Sequence, residues 1–261
     1  MEIKSSIAFD DELKKIDFFK GHEYMLPFVG EKYREGGILH IGASYYFRLD
    51  DIDREQRREA ECVLNEWWVD SDEEVLKRRE SFLKSPRRLQ NGGFESKFGD
   101  WVNTRKIVES FCNDNAYNEK SRAIYREFLK AAYDKQSSED LKDTEGYTPF
   151  SYMNFFQKPT KDVQTKHDDD AVRNSCEIVK AVIEILQPKI IIFTSSIAYD
   201  AFFNNANNLK FQPKGIIRLP HPTSNWWNRT QKWRDGSEIA MEKSTAMARL
   251  ARIFEILSET Q

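Results

Sequence analysis

Cysteine is scarce in this 261-residue chain, and the three that occur, Cys62, Cys112 and Cys176, are scattered and odd in number. No Cys-x-x-Cys pair exists, which argues against a disulfide framework and against a four-thiolate metal or iron–sulfur site. So few thiols fit a reducing compartment, and a cytoplasmic location is expected. No apolar run approaches the roughly 20 residues needed to cross a bilayer, so no membrane partner is expected. The opening residues MEIKSSIAFDDELKK also lack the apolar centre of a signal peptide. The dinucleotide fingerprint GxGxxG and the phosphate-binding P-loop are absent, as are the GxSxG nucleophile turn and HExxH, and no cofactor or metal is expected. Positive charge is not in excess. The net charge of −3 excludes a generally basic nucleic-acid binder but leaves room for a local basic patch.

What is present is a globular composition, 39% apolar and 32% charged, with aromatics high at 13%. That is enough apolar material for one sizeable core. There are no repeats and no low-complexity segment. The spacing predicts an N-terminal helix at about 10–20 and a first buried strand over Ile38-Leu39-His40-Ile41, bounded by Gly37 and Gly42. Helices are predicted over 53–68, from Ser71 to Lys84, over 95–112 and over 119–134. Lys135 to Gly146 is polar and reads as a surface loop. Tyr147 to Phe156 reads as a strand entering a loop at Lys158-Pro159. Val172, Cys176, Val179, Ile183 and Leu186 recur at helical spacing and predict a helix over 169–186. Its first turn follows Asp168-Asp169-Asp170, where negative charge complements the helix dipole. Ile190 to Phe193 is the clearest strand, followed by a helix capped at Thr194-Ser195-Ser196. A strand over Gly215 to Leu219 and an amphipathic helix from Ser237 to Ser258 complete the pattern. Strands alternating with helices predict an α/β fold, three-layer α/β/α, with a central parallel sheet of about four strands. Residues 1–261 are read as a single domain with a helical insertion at about 53–134.

Ligands of such sheets bind at the carboxyl ends of the strands. Four segments there carry candidate chemistry. The first is Gly42-Ala-Ser-Tyr-Tyr-Phe47, where Gly42 would allow a sharp turn and Ser44, Tyr45 and Tyr46 would face the crevice. Its plain alternative is a strand end with packing aromatics. The second is His221-Pro222-Thr223-Ser224, where an imidazole at a strand end can donate to a developing anion. The third is Asn225 to Arg234, which sets Trp226, Trp227 and Trp233 beside Arg229, Lys232 and Arg234. From Arg218 to Arg234 there are four cations and no acid. Aromatic faces with cations suit bases and phosphates. The same residues also suit a Trp-rich core corner with a solvated fringe. The fourth is Asn154, whose amide offers the donor and acceptor that reading a base edge requires. His167 with the acids 168–170 invites a metal reading, but the acids are better explained by the helix that follows.

In this order the segments 37–47 and 147–235 resemble the uracil-DNA glycosylase superfamily. The resemblance implies a crevice in which His221 stabilises a departing base anion and Asn154 reads the pyrimidine edge. Tyr46 falls where a tyrosine can exclude thymine. Tyr46 or Phe47 would stack on the base, with Gly42 and Tyr45 beside it. Thr223, Ser224 and Asn225 would contact nucleic acid, and Trp226 or Trp227 would act as the wedge. The implied partner is DNA or a nucleotide-like ligand, the expected function is binding of a nucleobase or nucleic acid in this crevice, and N-glycosidic hydrolysis, as in DNA repair, is the reaction if the chain is catalytic. The departure is Ser44, where active members carry Asp or Asn. The chain is closer to a divergent branch with a Gly-x-Ser-x-Tyr first loop. Two other readings stand beside this one. One is a hydrolase using Ser44 and His221 on a small nucleoside-like substrate. The other is a non-catalytic protein-interaction module.

Overall fold

The computed structural model describes residues 2–47, 49–161, 166–206, 209–233 and 243–259. Among these, the helices are α1 (Asp10–Leu13), α2 (Asp17–Gly21), α3 (Arg54–Asn65), α4 (Glu73–Lys84), α5 (Gly99–Val102), α6 (Thr104–Asn113), α7 (Ala123–Ala132), α8 (Asp169–Leu186), α9 (Ser196–Asn205) and α10 (Ala246–Glu259). The strands are β1 (Phe28–Val29), β2 (Ile38–Tyr46), β3 (Pro86–Arg88), β4 (Phe94–Lys97), β5 (Phe150–Thr160), β6 (Ile190–Phe193) and β7 (Gly215–Arg218).

Helix starts follow side-chain chemistry. Asp53, Asp72, Asn103, Asp168 and Ser195 each accept a backbone N–H in the first turn of α3, α4, α6, α8 and α9. Such caps satisfy donors that the helix leaves open. Helix α8 stops at Gln187, which is left-handed with φ 45°, just before Pro188. Both bounds of α8 and β6 agree with the expectation, and Ser195 caps α9 within the expected Thr194-Ser195-Ser196.

The central sheet has five strands in the order β1-β5-β2-β6-β7. The four strands β5, β2, β6 and β7 run parallel, as the alternation predicts, and β1 adds an antiparallel edge on β5. The two residues of β1 are too few to show a period. The chain passes from β2 to β5 on one side, then crosses back over β2 to β6. The strand order therefore reverses at β2, and in open α/β sheets the crevice forms at such a reversal.

Two hydrophobic cores cover the two faces. One unites Leu39, Ile41, Met153, Phe155, Ile191 and Phe193 with residues of α3, α4, α8 and α9. The other unites Ile38, Tyr152, Ile190, Ile192 and Ile217 with residues of α6, α7 and α10. The alternation along each strand sends consecutive side chains to opposite layers, giving helices on both faces of the sheet.

Several expectations are corrected. The N-terminal helix is two short pieces, α1 and α2, because Ile16 between them is extended at ψ 116°. The stretch 95–112 is not one helix. It begins as β4, hairpinned to β3, and Asn103 caps a separate α6 by accepting from the Lys106 N–H. The insertion 53–134 is thus not wholly helical. Strand β5 runs on through Lys158-Pro159 to Thr160, where its pairing with β2 is irregular. Proline is tolerated there because β1 reaches only Ser151 and Tyr152 on that side, so no ladder donor is lost. Helix α10 starts at Ala246, since Ser244 is still extended and bridges Gln231. Residues 237–242 of the expected helix lie outside the described residues.

Candidate functional site at the carboxyl end of the sheet

Gly42 does not turn the chain. Strand β2 continues through it to Tyr46. The period of two puts His40, Gly42 and Ser44 on one face, and their in-register partners on β5 are Tyr152, Asn154 and Phe156. Glycine is needed at 42 because two polar side chains occupy its space. A Cβ there would lie 2.3 Å from the Tyr152 hydroxyl and 2.5 Å from Asn154 Oδ1. That hydroxyl donates to Asn154 Oδ1 at 2.8 Å. Asn154 is 7% exposed, so most of its amide belongs to the core. Tyr45 is buried as well, with its hydroxyl 2.5 Å from that of Thr104. Burial drives the Tyr45 pKa up, against the pull of hydrogen bonds from Thr104 and Asn154. Tyr45 therefore does not face the crevice as expected. Phe47 does not either: it is fully buried, edge-on to Trp67, Phe82 and Phe98. Its ring lies in the core and cannot stack on a ligand. Tyr46 is half-buried at the end of β2.

Composition gave no signal for His40. Its Nδ1 lies 2.7 Å from the Tyr147 hydroxyl and its Nε2 2.8 Å from that of Thr194. The ring stacks on Phe128 at 4.2 Å. Complete burial pushes its pKa down to about 3, and the nearby His221 pushes the same way. His40 is thus a neutral core residue with both nitrogens engaged, and the electrostatic contact brings His221 to its neighbourhood.

The His221 loop is tightly wound. Ser224 N–H donates to the His221 carbonyl at 2.8 Å and Trp227 N–H to the Ser224 carbonyl at 3.1 Å. His221 Nδ1 accepts from the Thr223 N–H at 3.2 Å and lies 2.8 Å from the Thr223 hydroxyl. A ring nitrogen that accepts a backbone N–H carries no hydrogen. In the neutral ring the hydrogen is therefore on Nε2. Burial lowers the His221 pKa, which keeps the ring neutral at ordinary pH. The hydroxyl of Ser224 is buried without a hydrogen-bond partner among the described residues.

The two adjacent tryptophans have opposite roles. Trp227 is 2% exposed and belongs to the core, whereas Trp226 is 57% exposed. The Arg229 guanidinium lies 5.3 Å from the Trp226 ring centre. Asn225, Thr223 and Lys232 are exposed, and Arg234 lies outside the described residues. Arg218 is turned to Asp200 in a two-pronged pair at 2.9 Å for each contact, so the acid-free stretch in sequence is not acid-free in space.

Ser44 does not pair with His221. Its Oγ lies 2.8 Å from Nε2 of His167, the residue just before the cap of α8. The His167 ring stacks on Phe156, with centres 3.7 Å apart and planes within 6°. Burial pushes its pKa down to about 4, offset in part by Asp168 and reinforced by Lys158. Its Nδ1 is buried and has no hydrogen-bond partner among the described residues. The sequence pattern assigned His167 only to the acidic cluster after it. Stacking between a β5 ring and the residue before the cap of α8 leaves no sequence signature.

Among the described residues no group of three or more His, Cys, Asp or Glu could hold a metal ion. No helix there is long and apolar enough to cross a membrane. Comparison with family models, with characterised proteins and with solved structures finds no match.

Proposed function

We propose that this chain binds a nucleobase presented by a nucleic acid, in the crevice at the carboxyl end of β2, and hydrolyses its N-glycosidic bond. The uracil-DNA glycosylase-like reading of the fold belongs to the same proposal. The observation that carries it is the tautomer of His221. A neutral imidazole with Nδ1 spent on Thr223 carries its N–H on Nε2. Such a donor stabilises a base leaving as an anion, and it does so without the desolvation penalty of a buried cation.

Asn154 supports the reading in a narrower way than a free amide would. Its oxygen is committed to Tyr152. The amide nitrogen supplies the donors for a base carbonyl. Tyr46 is the stacking residue in this reading. Trp226, exposed and backed by Arg229, is the wedge that fills the stack when the base leaves it.

The test is binding and excision together. Fluorescence anisotropy with single- and double-stranded oligonucleotides should show binding that weakens as salt rises, through Arg229 and Lys232. Strand-cleavage assays on uracil-, hypoxanthine- and xanthine-containing DNA should show excision that His221→Ala lowers by roughly 100-fold or more. Absence of binding at low salt, or His221→Ala working at the wild-type rate, refutes the proposal.

A further inference from the structure

Hydrolysis of a glycosidic bond needs a group to take the proton of the attacking water, and the crevice has to supply it. The chain has four histidines. His22 is buried, stacked on Phe18 and packed against Trp67. His40 has both nitrogens engaged and no access to solvent. His221 has spent Nδ1 on Thr223, and its Nε2 is a donor. The nearest acid in sequence to Ser44's partner is Asp168, whose carboxylate caps Ala171 N–H at 2.6 Å and meets Lys158 at 3.2 Å. That leaves His167.

We propose that Ser44 and His167 form the base of this site, an activated hydroxyl whose proton passes to His167 Nε2. This rests on the glycosidic reading for its substrate but not for its chemistry. Three observations carry it. The Oγ–Nε2 distance of 2.8 Å is a hydrogen bond that is already formed. The ring cannot swing away, because it stacks on Phe156 at 3.7 Å and the following residue is locked into the cap of α8. Finally, among the described residues no hydrogen bond at Nδ1 fixes the tautomer. His221 is fixed by the Thr223 N–H and His40 has both nitrogens engaged by hydroxyls, whereas His167 can accept at Nε2.

The step balances as follows. Water oxygen bonds to the anomeric carbon and gives a proton to Ser44 Oγ. Ser44 gives its own proton to His167 Nε2. The carbon–nitrogen bond breaks, and its electron pair leaves with the base toward the His221 N–H. The imidazolium at 167 then returns its proton to solvent. Ser44 is the catalytic residue here, and His167 is a positioning residue acting through it. The charged groups facing His167 are Asp168, which favours the imidazolium, and Lys158, which opposes it. Burial dominates and sets a proton affinity close to that of an ordinary aspartate. An uncharged ring of that affinity can accept a proton from an acidified water but cannot hold a resting negative charge beside the sugar.

The experiment has two arms, each with wild type, Ser44→Ala, His167→Ala and His167→Gln. Glutamine keeps a hydrogen bond to Ser44 and does not titrate, which separates chemistry from folding. In the first arm the proteins meet an alkyl fluorophosphonate. Ser44 Oγ bonds to phosphorus, fluoride leaves, and the proton goes to His167. Mass spectrometry should place the adduct on Ser44 of the wild type, with a labelling rate that falls as pH drops through about 4. In the second arm single-turnover excision from uracil-containing DNA is followed against pH. His167→Gln should slow it by roughly 100-fold and flatten the acid side of the profile, with DNA affinity unchanged. A Ser44→Ala/His167→Gln double variant should be no slower than either single one. Labelling that depends on His167, without excision, upholds the pair and refutes the glycosidic reading. Excision that depends on His167 upholds both. If wild type and His167→Gln behave alike in both arms, the proposal is overturned.

Discussion

Acid should unfold this protein in part through His40, and the size of the effect follows from its surroundings. The ring is fully buried between Phe128 and the hydroxyls of Tyr147 and Thr194, and its pKa falls from 6.5 to about 3. A histidine whose pKa is depressed by folding binds its proton more tightly in the unfolded chain. The stability it contributes is therefore whole above pH 6.5 and is lost as pH falls toward about 3. At about 1.4 kcal/mol per pH unit, lowering pH from 7 to 4.5 removes about 2.5 kcal/mol through this residue alone. His40→Gln keeps an acceptor for Tyr147 and a donor for Thr194 but cannot titrate. Urea unfolding at both pH values should show the wild type losing about 2.5 kcal/mol more than His40→Gln. The buried His22 is present in both proteins, so its acid loss cancels in the comparison. Equal acid losses in the two proteins would refute the claim that His40 is held neutral.

Gly42→Ala should destabilise by about 2–5 kcal/mol, because the new methyl collides with Tyr152 and Asn154 and parts their hydrogen bond; a calorimetric change under about 0.5 kcal/mol would contradict this. Trp227→Ala should cost about 3–5 kcal/mol by emptying core volume, whereas Trp226→Ala should leave the melting temperature nearly unchanged and weaken oligonucleotide binding by about 1–3 kcal/mol. Thr223→Val removes one of the two contacts that fix the His221 ring, so it should lower excision while leaving DNA affinity within about twofold, read from kcat and Kd separately.

The sequence by itself determined the alternation of elements, because local rules act within one turn or one strand. The period of α8, the apolar run of β6 and the serine cap of α9 are all complete within a few residues of chain. It also determined which strand ends carry polar residues. Only the tertiary structure decided which of those residues meet. Trp226 and Trp227 are neighbours in sequence and differ in burial because the turn after His221 sends one ring outward and the other under α10. Phe47 and Tyr45 looked like crevice aromatics, but the insertion buries them, with Trp67, Phe82 and Phe98 around Phe47 and Thr104 against Tyr45. Ser44 and His167 are separated by 123 residues, and their hydrogen bond exists because β5 and α8 set Phe156 and the His167 ring face to face. Contacts of that kind arise from the packing of distant elements, and nothing in the local chain chemistry encodes them.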